Sequence, residues 1–139
     1  MIIVKNKQLL DRAFQTAANS LEQYRLTVPV AYNIMRTNRH LKTALAESTE
    51  FYVATLKKYT QLDESGNFVP MKKEDGSIIP NTYVPMEGKV EELEKELQVF
   101  MNMDIEIKSF PVKISDLADI PISAATLQLL DGTVIVESV

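Results

Sequence analysis

The chain opens on three β-branched residues, Ile2-Ile3-Val4, which read as a short strand in need of a partner. The rhythm then changes. Leu10, Ala13/Phe14, Ala17, Leu21 and Tyr24 recur every three or four residues, predicting a helix from Asn6, its N-cap, to about Leu26. Pro29 pushes Val28 out of the α region and suits the first turn of a second helix. No Pro or Gly follows until Gly66, so that helix is expected to run for about thirty residues. Its apolar seam holds Ile34, Leu41, Leu45, Tyr52, Leu56 and Tyr59, with Asn38, Ser48, Thr55 and Leu62 in the same rows. The two helices are expected to form an antiparallel hairpin over 6–62. The longer one outruns the shorter, leaving apolar surface for another partner.

Asp63-Glu64-Ser65-Gly66-Asn67 reads as the helix stop, with Gly66 or Asn67 taking positive φ. Phe68-Val69-Pro70-Met71 faces Ser77-Ile78-Ile79 across Glu74-Asp75-Gly76, which predicts a β-hairpin over 67–80. Pro70 and Pro80 hold it to short or edge strands. Over 86–103 helical spacing returns. Val90, Leu93, Leu97 and Phe100/Met101 share one face, and Glu87, Glu91, Glu92, Glu94 and Glu96 lie mostly off it. Asp104-Ile105-Glu106-Ile107-Lys108 and Val112-Lys113-Ile114 alternate like strands, and Ile2-Ile3-Val4 is their natural partner. Ser115 or Asp116 suits the cap of a single turn. Ser123 caps a helix from Ala124 to Leu130 that Asp131-Gly132 ends, and Val134-Ile135-Val136 is a last strand or an apolar tail. No internal repeat stands out. The expected fold is α+β, one domain over 1–139. It comprises a long antiparallel helical hairpin, a third helix, and a small, mostly antiparallel sheet. The N-terminal strand, the central hairpin and the C-terminal strands of 104–139 supply that sheet.

Composition narrows the chemistry. The 139 residues are 45% hydrophobic and 24% charged, the ordinary globular range. With no Cys there is no thiolate nucleophile and no Cys-based metal site; with His40 alone, no two-histidine site can form. No apolar run approaches the roughly 18–20 residues of a membrane helix. Met1-Ile2-Ile3-Val4-Lys5 is too short an apolar stretch for a signal peptide, so a soluble, non-secreted chain is expected. The net charge of −4 splits into +5 over residues 1–62 and −9 over 63–139. Either a binding face or packing of one half on the other, or on a neighbouring subunit, accounts for the split.

On a helix Arg36, Arg39 and His40 share a face, with Arg25 and Lys42 nearby. They are candidate contacts for phosphate, nucleic acid or an acidic partner. The competing reading, a solvated face or a stripe paired with the acidic helix, is favoured because no Gly-rich loop or helix N-terminus accompanies them. Glu87, Glu91, Glu92, Glu94 and Glu96 lack the Glu-x-x-His partners of a di-metal site and read as a partner-facing acidic surface. Asp63–Asn67 lacks the oxygen-ligand pattern of a calcium loop. No nucleophile elbow, P-loop or dinucleotide fingerprint occurs. No enzyme activity, cofactor or metal is expected.

The order of motifs resembles a family of small phage and prophage proteins of unknown function. The residues that carry the likeness are Lys58-Tyr59 leading into Asp63-Glu64-Ser65-Gly66-Asn67, an acidic helix, and Asp104-Ile105-Glu106-Ile107. Ile114-Ser115-Asp116-Leu117 and a closing Ile122-Ser123-Ala124-Ala125 complete it. The resemblance implies a role by contact in the host cytoplasm or the virion. The first expectation is an oligomeric virion or assembly component. The alternatives are an inhibitor docking on a host protein, or a nucleic-acid accessory protein using the basic N-terminal half.

Overall fold

A computed structural model describes residues 1–137; Ser138 and Val139 lie outside the described residues. The fold is α+β. The chain divides into two compact units, one made of Met1–Ser48 with Asn102–Val139, the other of Thr49–Met101.

In the first unit β1 (Ile2–Lys5) pairs antiparallel with β2 (Asp104–Ile107), Ile2 opposite Ile107 and Val4 opposite Ile105. Alternation sets the faces: Val4 and Ile107 are buried, while Ile3 and Glu106, opposite each other, point outward. Lys5 and Asp104 close the ladder with a 3.1 Å ion pair.

The first helix departs from expectation. It is two helices, α1 (Asn6–Leu9) and α2 (Arg12–Ser20), followed by a 3-10 turn at Leu21–Gln23. Asp11 starts the second by accepting a 3.0 Å bond from the Ala13 N–H. Asn6 is not a cap: it is 1% exposed, and its Oδ1 accepts a 2.7 Å bond from Ser48 Oγ. That bond and the 2.9 Å bond from Asn38 Nδ2 to the Ala18 carbonyl lay this segment antiparallel on the first part of α3 (Val28–Tyr59), as the hairpin requires.

The C-terminal segments complete the same core. β3 (Val112–Lys113) runs into a 3-10 turn at Ile114–Leu117, where Asp116 accepts from the Lys113 N–H at 3.3 Å. Ser123 accepts from the Thr126 N–H at 3.2 Å and so caps α5 (Ala124–Leu130), which leads to β4 (Ile135–Val136). β4 pairs with β3 in parallel, not antiparallel, because α5 is a crossover that returns the chain to its starting direction. Two separate two-stranded sheets therefore replace the single sheet expected. The core gathers Val4, Leu9, Phe14 and Leu21 around Ile34, Leu41, Leu130 and Val134.

In the second unit α3 ends at Tyr59, three residues before the expected Leu62, because residues 60–62 are extended and paired on both sides. Thr60 bridges Pro85 and Leu62 bridges Phe68, both antiparallel; Lys72 bridges Ile78 beyond. The predicted 67–80 hairpin is thus part of a ribbon over 60–86 held by isolated bridges. α4 (Val90–Met101) is shorter than its predicted 86–103, and Gly88 at φ +78° turns the chain into it.

Candidate functional site

The basic stripe on α3 is built around aromatic rings. The Arg36 guanidinium carbon lies 3.6 Å from the Phe110 ring centroid and 4.5 Å from that of Tyr32. One terminal NH2 donates to Asn33 Oδ1 at 2.6 Å. Phe110 is pinned in turn, its N–H donating to the buried Thr37 hydroxyl at 2.8 Å. Lys108 Nζ stands 5.6 Å from the same ring and the His40 ring 6.3 Å away. Cation–ring contacts contribute about 0.5–2 kcal/mol each, so Arg36 serves as a strut between α3 and the 108–112 link. Arg39, His40 and Lys42 are exposed on α3, and Arg25 is exposed in the link before it. The structure thus gathers Arg36 and His40 at Phe110. In place of the carboxylate partners expected for Arg36 stand the Tyr32 ring, one helical turn before it, and the Phe110 ring, some seventy positions away and beyond any local pattern.

The seam residues serve two cores. Ile34, Leu41 and Leu45 join the core of the first unit. Tyr52, Leu56 and Tyr59 belong to the second, where α4 meets them. Phe100 stacks on Phe51 at 5.3 Å and on Tyr52 at 6.2 Å, and the Tyr59 hydroxyl donates to Glu96 Oε1 at 2.7 Å. That hydrogen bond raises the Tyr59 pKa, with burial and the Glu96 charge adding to it; burial, then Tyr83, raises that of Tyr52. The apolar surface expected to wait for another molecule is therefore partnered by α4 of the same chain.

Of the acidic residues, Glu96 also lies 3.8 Å from Lys58, and Glu92 pairs with Lys89 at 3.4 Å. Glu87, Glu91 and Glu94 are exposed. Among the described residues no group of three or more His, Asp or Glu is placed to hold a metal ion. Beside α4 lies a cavity of about 290 Å3. Val90, Leu93, Glu94 and Leu97, one helical stripe of α4, form one wall; Met71, Asn81, Thr82, Tyr83 and Pro85 form the other.

The ribbon also corrects the expectation that the chain lacks repeats. Glu64-Ser65-Gly66-Asn67-Phe68-Val69-Pro70 and Glu74-Asp75-Gly76-Ser77-Ile78-Ile79-Pro80 share a pattern at a ten-residue offset. They fold alike. The Gly66 N–H donates to the Asp63 carbonyl at 3.0 Å and the Asp63 N–H to the Asn67 carbonyl at 2.8 Å; Gly76, Lys73 and Ser77 repeat this at 2.9 and 2.8 Å. Both glycines are left-handed, φ +81° and +87°, which makes three-residue hairpin loops. Asp63–Asn67 is therefore a hairpin loop and not the helix stop. In the second loop Asp75 Oδ1 accepts from the Ser77 hydroxyl at 2.6 Å and N–H at 2.9 Å, which lowers its pKa. Val69-Pro70-Met71 and Val84-Pro85-Met86 form another duplicate, and both flank Gln61. The Val69 N–H donates to the Gln61 carbonyl at 3.2 Å, and the Gln61 N–H to the Val84 carbonyl at 2.8 Å. These duplications were readable signals for the ribbon and for the cavity wall it supplies.

The chain matches no known family model, no curated protein and no solved structure. No helix among the described residues is long and apolar enough to cross a membrane.

Proposed function

We propose that this protein works by binding another protein, not by catalysis, and that the second unit carries the contact surface. The observation that supports this reading is the apolar cavity beside α4, lined in part by exposed Met71 and Val90, in a unit that also exposes Leu62, Ile78 and Met86. Exposed apolar groups clustered at a concavity mark an interaction surface more than a solvated one. Coverage of the distal part of α3 by α4 removes the main reason to expect self-association, which favours a different protein as partner. The phage-like order of motifs makes that partner a virion, assembly or host protein. The nucleic-acid alternative is weaker, because Arg36 is committed to Tyr32 and Phe110.

The test is retention from a bacterial lysate on the immobilised full chain. A protein held in near-stoichiometric amount supports the reading; a bait that retains none at micromolar concentration refutes it. Presence in purified phage particles assigns the partner to the virion, and absence with host protein retained assigns it to the host.

A further inference from the structure

We infer that the cavity beside α4 receives a cationic amphipathic helix of a partner protein; this rests on the contact reading above and names the partner's chemistry. Size is the first argument. At about 290 Å3 the cavity sits at the bottom of the ~300–1,000 Å3 range of small-molecule pockets, so it suits a few inserted side chains more than a cofactor. The shape of its walls is the second. A helix stripe of Val90, Leu93 and Leu97 faces ribbon residues Met71, Tyr83 and Pro85, an apolar trough of the kind that takes the i, i+3/i+4 knobs of a docking helix. Met71 is unbranched and 42% exposed, so it can adjust to such knobs.

Charge selects the sign of the occupant. Glu94 is the charged residue of the wall; Glu91 precedes it by one helical turn and Glu87 lies just before the helix. Of the two cations on this stretch, Lys89 is already paired with Glu92, and Lys95 stands beside Glu94 in sequence, against five glutamates over 87–96. The second unit as a whole holds six Lys and ten Asp/Glu, net −4, whereas the first holds nine of each sign and is neutral. A helix with Lys or Arg flanking its apolar face is therefore attracted and oriented, and an acidic one is repelled. A second copy of this chain fits poorly. The exposed face of α3 that carries Arg39, His40 and Lys42 offers Thr43 and Ala46 in place of large apolar knobs.

The experiment titrates the full chain, labelled at its methionine methyls, with a short amphipathic peptide of Leu and Lys and with the matching peptide of Leu and Glu. The Leu/Lys peptide is expected to shift Met71 saturably while Met35 and Met103 stay in place, and the Leu/Glu peptide to shift none of them. Val90→Glu, at an exposed position, should weaken binding about tenfold even though it adds an attractive charge. Glu91→Lys with Glu94→Lys, also exposed, should weaken it about tenfold and flatten its salt dependence.

Equal binding of both peptides, unchanged binding by Val90→Glu, or shifts confined to Met35 or Met103 overturns the proposal. So does a concentration-dependent dimer that Val90→Glu abolishes, since the occupant is then a second copy. If Val90→Glu bait still retains the lysate partner, the cavity assignment fails and the contact reading stands; if wild-type bait retains nothing, the contact reading itself fails.

Discussion

The first unit draws its core from both ends of the chain and buries fourteen apolar side chains among the described residues, Phe14, Leu21, Leu130 and Val134 nearly completely. The second is 53 contiguous residues long and fully buries Leu56, Leu93 and Phe100, beside the hydroxyls of Thr55 and Thr60. Yet it exposes seven large apolar residues, among them Phe51, Ile78 and Val99. A segment of that size is near the lower limit for a self-sufficient core. The first unit exposes six large apolar residues among its described residues against fourteen buried apolar ones, whereas the second exposes more than it buries. Lower local stability in the second unit is the expected outcome of that arrangement.

Substitution at the matched aromatic anchors tests this division most severely. Phe14→Ala, at a site 2% exposed, should cost about 3–5 kcal/mol by denaturant titration and release amide protection throughout the first unit. Phe100→Ala should cost about 3 kcal/mol, toward the low end because its stacking partner Phe51 is itself 58% exposed. Its loss of hydrogen-exchange protection should be confined to residues 49–101. Loss of protection at β1 and β2 as well would show that the two units unfold as one. Asn6→Ala strands the buried Ser48 hydroxyl and should lower stability by about 1–3 kcal/mol.

A smaller contrast uses two left-handed glycines with open space around them. Gly132→Ala and Gly76→Ala should each cost about 1–2 kcal/mol from backbone strain at φ +77° and +87°. The first should reduce global stability; the second should raise exchange in the ribbon alone. The smallest effect is electrostatic. Asp75 is held below its ordinary pKa by Ser77, so its contribution is complete above that ordinary value and lost as pH falls through the lowered one. Ser77→Ala should bring the Asp75 titration, followed by side-chain carboxyl NMR, back up toward the ordinary value.

Legibility followed the range of the interaction. The long helix with Pro29 in its first turn, the Ser123 cap and Gly132 after α5 are local chemistry and could be read directly. The pairing of Ile2-Ile3-Val4 with 104–107 followed from two matching alternations. The break at Asp11 was a visible cap signal that the continuous apolar spacing masked. The ribbon was legible in duplicated turns that helical expectation obscured, because residues 60–62 were assigned to the end of α3.

Local propensity and hydrophobic period, which act over a few residues, were enough to specify the α+β class, most elements and the acidic character of α4. The partners of those elements depend on distant parts of the chain meeting, which no short window encodes. Only the tertiary structure put the Phe110 ring at Arg36, made β3 and β4 parallel, and set α4 against the far part of the seam. It also redrew the charge map. The basic residues 1–48 pack with the acidic 102–139 and cancel, so the net −4 comes to reside in the second unit, where the cavity is.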